Sequence, residues 1–179
     1  MFDKLRLQIG TSYARVLFTA TRDPVVRFTE AITIARRPVV FLPEVQAEAA
    51  AIDVVLKFLA DRFHTSNVVL VARKNVMAYV PENRGFNVVT FDDTELDTWY
   101  LPRTDLLRKL KKSTFDVAFD LNIGFVLPSS YLCRASQAPL RIGFKKPYAD
   151  CFYNFQVQTG PPGNLTQVYS QLLKCIEMF

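Results

Sequence analysis

Short runs of branched apolar residues recur along the chain, as is typical of strands buried inside a sheet. Five such runs are PVVFL (38–42), NVVLVA (67–72), FNVVTF (86–91), FDVAFDLN (115–122) and LRIGF (140–144). A sixth segment, DCFYNFQVQ (150–158), fits either another strand or an aromatic segment that covers the sheet. The pattern therefore predicts five strands and leaves the sixth open.

Between these runs, apolar residues recur at helical spacing instead. One apolar face, which predicts a helix from about Gln46 to Phe63, consists of Ile52, Val55, Leu56, Leu59 and Phe63. Further helices are predicted at 103–113, 126–136 and 165–179, the last with Asn164 as its N-cap. Because short apolar strands alternate with helices, we predict an α/β fold: a three-layer, Rossmann-like domain with a mostly parallel sheet.

The first 36 residues are less regular. SYARVLFTATR and VVRFTEAITIARR can form helices or an irregular lead-in, and Pro24 separates them. No change of composition and no linker divides the chain. We therefore expect a single domain over residues 1–179, with a lead-in at 1–36 and the Rossmann-like core at 37–179.

Composition narrows the class of protein. Half of the residues are hydrophobic, yet no run of 18 apolar residues occurs, so a membrane-spanning helix is not expected. The N-terminus lacks the pattern of a secretory signal. Three widely spaced cysteines without a C-x-x-C pair indicate reduced thiols (Cys133, Cys151 and Cys175). We expect a cytoplasmic protein, with peripheral attachment to the inner membrane as an open alternative.

Cofactor and metal chemistry find little support in the sequence. The loop after the first strand, LPEVQAEAAA, contains no glycine, so both the P-loop and the dinucleotide fingerprint are missing. A zinc site needs about four nitrogen or sulfur ligands, and His64 is the one histidine. We predict neither a cofactor nor a metal.

The formal net charge of +5 allows an anionic partner. Four basic pairs carry much of it: Arg36–Arg37, Arg108–Lys109, Lys111–Lys112 and Lys145–Lys146. Each pair can equally be a solvated surface feature. The partners we expect are a glycan or an anionic glycolipid, and a partner chain or a second copy in a homodimer. Nucleic acid is not expected.

Polar residues follow several predicted strands, at the sheet edge where parallel sheets bind ligands. Asp120 and Asn122 end the fourth strand, and Lys145 and Lys146 follow the fifth. We predict these four as ligand-binding residues, with Asp120 facing a depression and Asp116 at the opposite edge. The alternatives are that Asp120 orders the following turn and that the lysines are solvated.

Two glutamates follow the first strand. A carboxylate of Glu44 or Glu48 could act as a general base on a sugar hydroxyl. Either can instead be a favourable charge in the first turn of the next helix. They are the candidates for catalytic residues.

The segments LLRKLKKSTFDVAFDLN and SSYLCRASQAPLRIGFKK resemble the N-terminal half of glycosyltransferase family 9, the bacterial lipopolysaccharide heptosyltransferases. Members of that family carry a basic helix, a strand of the kind YDLVIDLQG, a helix of the kind SALLARLSGAP, and RRIGF. The counterparts here are Phe115–Asn122, Ser129–Pro139 and Leu140–Phe144. A looser resemblance extends upstream to about Arg37.

The resemblance implies one half of a GT-B fold, in which two Rossmann-like domains face each other and the C-terminal one holds most of the nucleotide sugar. This chain would be the acceptor half, and no donor half follows. The family's Gly-Asp loop, whose Asp is thought to be the catalytic base, is replaced by PEVQAEAAAID, so Glu44 or Glu48 would have to substitute for that Asp.

Three interpretations stay open. The chain is a stand-alone, glycosyltransferase-like domain that binds a glycan or anionic ligand and is not catalytically complete alone. Alternatively, it is an active glycosyltransferase completed by a partner chain or by dimerisation. The third is a non-enzymatic scaffold for protein contacts.

Overall fold

Within the residues that the structure describes, six parallel strands form one sheet. They are β1 (Pro38–Phe41), β2 (Val69–Arg73), β3 (Asn87–Phe91), β4 (Val117–Asp120), β5 (Leu140–Phe144) and β6 (Phe155–Val157). The structure is a computed structural model, and it describes residues 2–21, 23, 25–81, 84–160 and 164–178. The sheet order is β3-β2-β1-β4-β5-β6, and every pairing is parallel. The five predicted strands are confirmed, and 150–158 supplies a sixth.

The central strands are mostly apolar on both sides, because helices cover both faces of the sheet, and Asp120 and Arg141 are their buried charged residues. Every residue of β1, β4 and β5 is buried. Phe41 pairs with both Val71 and Asp120, so the carboxyl ends of β1, β2 and β4 lie in register. This alignment brings the loops that follow these strands to one edge of the sheet.

Seven helices occur among the described residues. They are α1 (Phe2–Thr19), α2 (Phe28–Ile34), α3 (Gln46–Ala50), α4 (Asp53–Arg62), α5 (Thr104–Leu110), α6 (Leu127–Ala135) and α7 (Leu165–Glu177). One apolar cluster joins the sheet to α2, α3, α4 and α7. A second cluster joins its other face to α1, α5 and α6. The predicted three-layer, Rossmann-like architecture is thereby confirmed.

The helix predicted from Gln46 to Phe63 is two helices. Its break lies at Ala51 and Ile52, although neither residue is a helix breaker. The two helices pack against different elements: α3 packs on the 3-10 turn Lys74–Tyr79, and α4 packs on α7. Ile52 is buried between the two helices, and its burial favours a break at this position over one straight helix. The predicted cap at Asn164 is confirmed, since its side chain accepts a hydrogen bond from the Thr166 N–H at 3.0 Å.

The lead-in is helical, and both of its helices pack on the layers of the core. The α1 helix lies against α6, and α2 lies over β5. Between them, Asp23 forms ion pairs with Arg134 and with Arg141, the latter at 2.6 Å. Pro24, which we expected to separate two segments, lies outside the described residues. The predicted domain boundaries stay a prediction.

None of the helices within the described part of the chain combines the length and the apolar character needed to cross a membrane.

Candidate functional site

The strand order places a topological switch point between β1 and β4. The chain leaves β1 towards β2 on one side and leaves β4 towards β5 on the other. In open parallel sheets, such a point opens a crevice beyond the carboxyl ends of the strands. Glu44 follows β1 and Asn122 follows β4 here, and the Glu44 N–H donates to Asn122 Oδ1 at 2.8 Å. Glu44 and Asn122 therefore lie together at the sheet edge where the sequence predicted both of them.

Asp120 ends β4 and turns into the protein. Its side chain is fully buried, and its Oδ1 accepts hydrogen bonds from Asn122 N at 3.0 Å and Asn122 Nδ2 at 2.7 Å. Its Oδ2 accepts from Lys146 Nζ at 3.2 Å and from the Tyr153 hydroxyl. Four donors thus occupy both oxygens. The expectation that Asp120 faces a depression is wrong, because its carboxylate is buried and hydrogen-bonded to protein groups on both oxygens.

Lys146 is the buried cation of this cluster. Its side chain is 2% exposed, and its Nζ also donates to the Asn122 carbonyl oxygen at 2.6 Å. The ammonium group therefore links the ends of β4 and β5. A buried ion pair needs this many hydrogen bonds, because desolvating both charges is costly.

Tyr153 extends the cluster towards α6. Burial and the charge of Asp120 hold the pKa of Tyr153 well above its ordinary value. Ser130 Oγ lies 2.7 Å from the same phenol oxygen. Because the one phenol proton is donated to Asp120, we infer that Ser130 donates to Tyr153. No feature of the sequence indicated either residue.

Lys145 and Lys146 do not act as a pair. Consecutive residues of an extended segment point to opposite sides, so Lys145 is exposed and donates to Gln158 at 3.3 Å. Only Lys146 reaches Asp120. On the other sheet edge, Asp116 accepts from the N–H groups of Arg36 and Arg37 at 2.9 and 3.0 Å. That position of Asp116 is the predicted one.

Glu44 forms the second charged contact at the switch point. Its Oε2 lies 2.5 Å from Arg73 Nε, and the two side chains are each 16% exposed. Ser129 Oγ donates to Glu44 Oε1 at 3.4 Å. Burial raises the pKa of Glu44, and the negative charge of Asp120 adds to this, whereas Arg73 opposes it in part. A partly buried carboxylate with a raised pKa is suited to proton transfer.

Arg73 was missed at the sequence level, although it ends β2 and the strand-end rule applies to it as well. It also forms an ion pair with Asp93. Glu48 lies nearby, where its Oε2 accepts from the Ile123 N–H at 3.2 Å. Burial is the main cause that raises the pKa of Glu48. Both predicted glutamates therefore lie against the loop that follows β4.

A groove runs between α1 and the strand-end loops, and we call it the α1 groove. Its first part is a hollow of about 320 Å³, bordered by Asp3, Lys4, Leu7, Arg73, Tyr100 and residues 125–128. The adjoining part, about 390 Å³, shares Leu7 and Phe125 and adds Arg15 and Tyr148. The size and the mixture of apolar walls with a few charged groups are typical of small-ligand sites. A larger hollow lies between α4 and α7, away from the strand ends.

Metal-ligating side chains are not grouped at this edge. Within the described residues, no cluster of three or more His, Cys, Asp and Glu side chains could hold a metal ion.

Comparison with known proteins shows a likeness of fold. No protein-family model and no curated protein matches the chain. The crystal structure of a glycosyl transferase family 9 protein from Veillonella parvula DSM 2008 is similar, with a TM-score of 0.58 and 16% sequence identity. The similarity covers 80% of this chain and 42% of that protein. At this identity the likeness shows the fold, and it agrees with the resemblance found in the sequence.

Proposed function

We propose that this chain is a glycosyltransferase-like domain, similar to the acceptor half of the lipopolysaccharide heptosyltransferases, and that it binds a glycan or an anionic ligand in the α1 groove. The observation that carries the proposal is the position of the groove beside the β1–β4 switch point, in a fold similar to that of a family 9 structure. Ligands of open parallel sheets bind at this position.

The chemistry of the groove supports such a ligand. Arg73, Lys4 and Arg15 provide positive charge for phosphate or carboxylate groups. Phe125 and Tyr148 provide aromatic surfaces for the apolar face of a sugar ring. In this proposal Asp120, Asn122 and Lys146 do not touch the ligand; they hold the loop after β4, which carries Phe125.

We infer further that the isolated chain does not transfer sugar. Departure of a nucleotide diphosphate requires preorganised positive charges or N–H groups around it. The similar family 9 structure is more than twice as long as the region shared with this chain. A second Rossmann-like unit, supplied by another chain or by a second copy, would complete such a site. Glu44 would then be the candidate base, because its carboxylate is partly buried and has a raised pKa.

Ligand binding can be measured by titrating the chain with hexose phosphates, heptose phosphates and core oligosaccharides in calorimetry. We expect Arg73→Gln to weaken binding at least tenfold, since a charge-assisted hydrogen bond is lost. Lys57→Gln is the matched control, because Lys57 is a cation on the opposite helical layer. Equal affinities of the two variants would contradict the proposed position of the ligand.

A transfer assay with a panel of nucleotide sugars tests the claim of incompleteness. We expect no turnover by the chain alone. Turnover that disappears in Glu44→Gln would instead establish the alternative, an active glycosyltransferase, and would identify its base.

A further inference from the structure

A pocket lies at the amino end of β5, between the carboxyl ends of α5 and α6 and the residues that follow α1. Its volume is about 360 Å³, which is enough for a small organic molecule. Among the described residues, its charged members are Asp23, Lys111, Arg134 and Arg141. We call it the Asp23 pocket. It is separate from the α1 groove, which lies at the carboxyl edge of the sheet.

Arg141 is the most deeply buried cation of the Asp23 pocket. It lies on an inner strand among apolar neighbours, and its side chain is 3% exposed. Its Nε donates to the Phe152 carbonyl oxygen at 2.9 Å, and its Nη1 donates to the Ala138 carbonyl oxygen at 2.8 Å. Two backbone carbonyls therefore fix the guanidinium group and leave its Nη2 directed at Asp23.

A carboxylate of the chain itself occupies the Asp23 pocket. Asp23 Oδ2 accepts from Arg141 Nη2 at 2.6 Å, and Asp23 Oδ1 accepts from Arg134 Nη1. Burial opposes the ionisation of Asp23, but the hydrogen bonds and charges of the two arginines hold its pKa below the ordinary value. The side chain of Arg134 is 9% exposed, so two largely buried guanidinium groups share one carboxylate. This is the geometry of a carboxylate-binding site.

Positive charge exceeds negative charge in the Asp23 pocket. Burial and the nearby charge of Arg134 lower the pKa of Arg141, and Asp23 offsets this only in part. Lys111 is exposed and adds a third cation. Helix dipoles favour cations at the carboxyl ends of α5 and α6, which explains Lys111 and Arg134 but not Arg141 on its strand. The excess positive charge attracts anions from solution.

The uncharged wall of the Asp23 pocket suits a ring. The rings of Phe18 and Tyr131 pack against each other with their centroids 4.9 Å apart. Leu107 and Pro139 continue this apolar surface. Apolar walls with a few convergent charged groups are typical of sites for small molecules. The pocket therefore combines a place for a carboxylate with a place for a ring.

We propose that the Asp23 pocket is a second ligand site, for a small carboxylic acid that carries an aromatic or apolar ring, and that Asp23 competes with this ligand. The ligand carboxylate takes the place of the Asp23 carboxylate between Arg134 and Arg141. Lys111 attracts the ligand from solvent, and the ring contacts Tyr131. Binding detaches Asp23 from the core. This inference does not depend on the α1 groove or on glycosyl transfer.

Asp23→Ala tests the proposal, because it removes the competitor and leaves both arginines in place. In calorimetric titrations with benzoate, the variant should bind at least tenfold more tightly than the wild type, since a tethered carboxylate competes at high effective concentration. Benzoate at a hundred times its Kd should raise the Tm of the variant by about 5–10 °C. Acetate, which lacks the ring, should bind at least tenfold more weakly than benzoate.

Asp53→Ala is the matched control for the loss of a carboxylate. Asp53 also binds two cations, Lys57 at 2.8 Å and Arg84 at 3.0 Å, but these groups are exposed on the surface of α4. Benzoate should leave the Tm of Asp53→Ala unchanged, because no buried guanidinium group has lost its partner there.

Two further variants locate the ligand within the Asp23 pocket. Arg134→Gln combined with Asp23→Ala should abolish the gain in affinity, while circular dichroism shows that the helices are intact. Lys111→Gln should weaken benzoate binding about twofold to fivefold, since an exposed charge contributes little. The same change at the neighbouring, exposed Lys112 should have no effect.

Any of four results would overturn the proposal. Benzoate binds the wild type and Asp23→Ala with equal affinity. Benzoate raises the Tm of Asp53→Ala as much as that of Asp23→Ala. The gain in affinity survives the loss of Arg134. Acetate binds as tightly as benzoate, which would show that the apolar wall does not contact the ligand.

Discussion

Asp120→Asn should be among the most destabilising single substitutions in this chain. The two residues have the same shape, but an amide presents one acceptor and one donor where the carboxylate presents two acceptors. All four groups around Asp120 donate to it. The phenol of Tyr153 can rotate its proton away, but the ammonium group of Lys146 keeps the Asn122 carbonyl oxygen and loses its anionic partner. The variant therefore leaves a buried cation next to a neutral side chain.

The magnitude follows from burial. Neither side chain of the Asp120–Lys146 pair is more than 2% exposed. Removing one partner of a buried ion pair costs about 3–5 kcal/mol. A domain of this kind has a free energy of unfolding of roughly 5–15 kcal/mol. With a slope of about 2 kcal/mol per molar urea, the unfolding midpoint should fall by roughly 1.5–2.5 M.

Asp116→Asn is the matched control, because the same substitution is made at the other end of the same segment. The Asp116 side chain is 32% exposed, its ion pair with Arg37 is 3.5 Å long, and an amide oxygen can still accept from the two backbone N–H groups. We expect a cost under about 1 kcal/mol. Lys146→Met combined with Asp120→Asn should recover much of the loss, since no uncompensated charge remains.

Urea unfolding followed by tryptophan fluorescence and circular dichroism measures the wild type, these three variants and Lys146→Met alone. Equal midpoints for the Asp120 and Asp116 variants would refute the argument. So would a double variant whose loss equals the sum of the single losses, since that would show no coupling between Asp120 and Lys146.

Three further predictions concern other parts of the structure. The pKa of Glu44 in the folded state lies above its ordinary value of 4.5, so the folded state binds this proton more tightly than the unfolded state does. The free energy of unfolding therefore falls as pH rises from 4.5 through the folded-state pKa. Between pH 4 and 7, the urea midpoint of Glu44→Gln should fall less than that of the wild type. Asp23→Ala removes a partner of buried Arg141 and should lower Tm by about 3–10 °C in calorimetry. Gly10→Ala should destabilise by about 1–3 kcal/mol despite its better helix propensity, because its Cβ would meet the Trp99 carbonyl, and amide exchange in α1 should speed up.

The sheet was predictable because its signal is local. Each central strand is a short, mostly apolar run that is buried on both faces, with Asp120 in β4 and Arg141 in β5 as the charged exceptions, and the sequence contains that run directly. The break between α3 and α4 was not predictable, because both segments carry good helix formers. It depends on which distant element each helix packs against, and no window of the sequence contains that information.

For the residues of the candidate site, the sequence predicted the position in the sheet and not the direction of the side chain. The strand-end rule places Asp120, Asn122, Glu44 and Lys146 at one edge, and they lie there. The rule cannot distinguish a side chain that faces solvent from one that faces its neighbours. Two features of the sequence favoured the second outcome for Asp120: the acid ends an apolar run, and a donor residue, Asn122, follows two positions later.

The side of α1 that faces the core could not be derived from periodicity. A stripe of apolar residues at helical spacing usually predicts a buried face, and in α1 that face is the exposed one. The buried side of this helix is made of small residues, because Gly10 and Ala14 let the helix lie close to the loop at Trp99 and to α6. Close approach therefore determined which side faces inwards.

Asp120 and Glu44, the two acids at the switch point, differ in their hydrogen-bond and ion-pair partners, and this difference determines what each can do. Asp120 accepts from four donors and does not border the α1 groove, so its carboxylate only joins the ends of β4 and β5. Glu44 is bound by a single cation, Arg73, which also borders the groove and is shared with Asp93. An anionic ligand that competes for Arg73 would weaken its hold on Glu44 and raise the pKa of that carboxyl further. Ligand binding and the protonation of Glu44 are therefore expected to be coupled, whether or not the chain has catalytic activity.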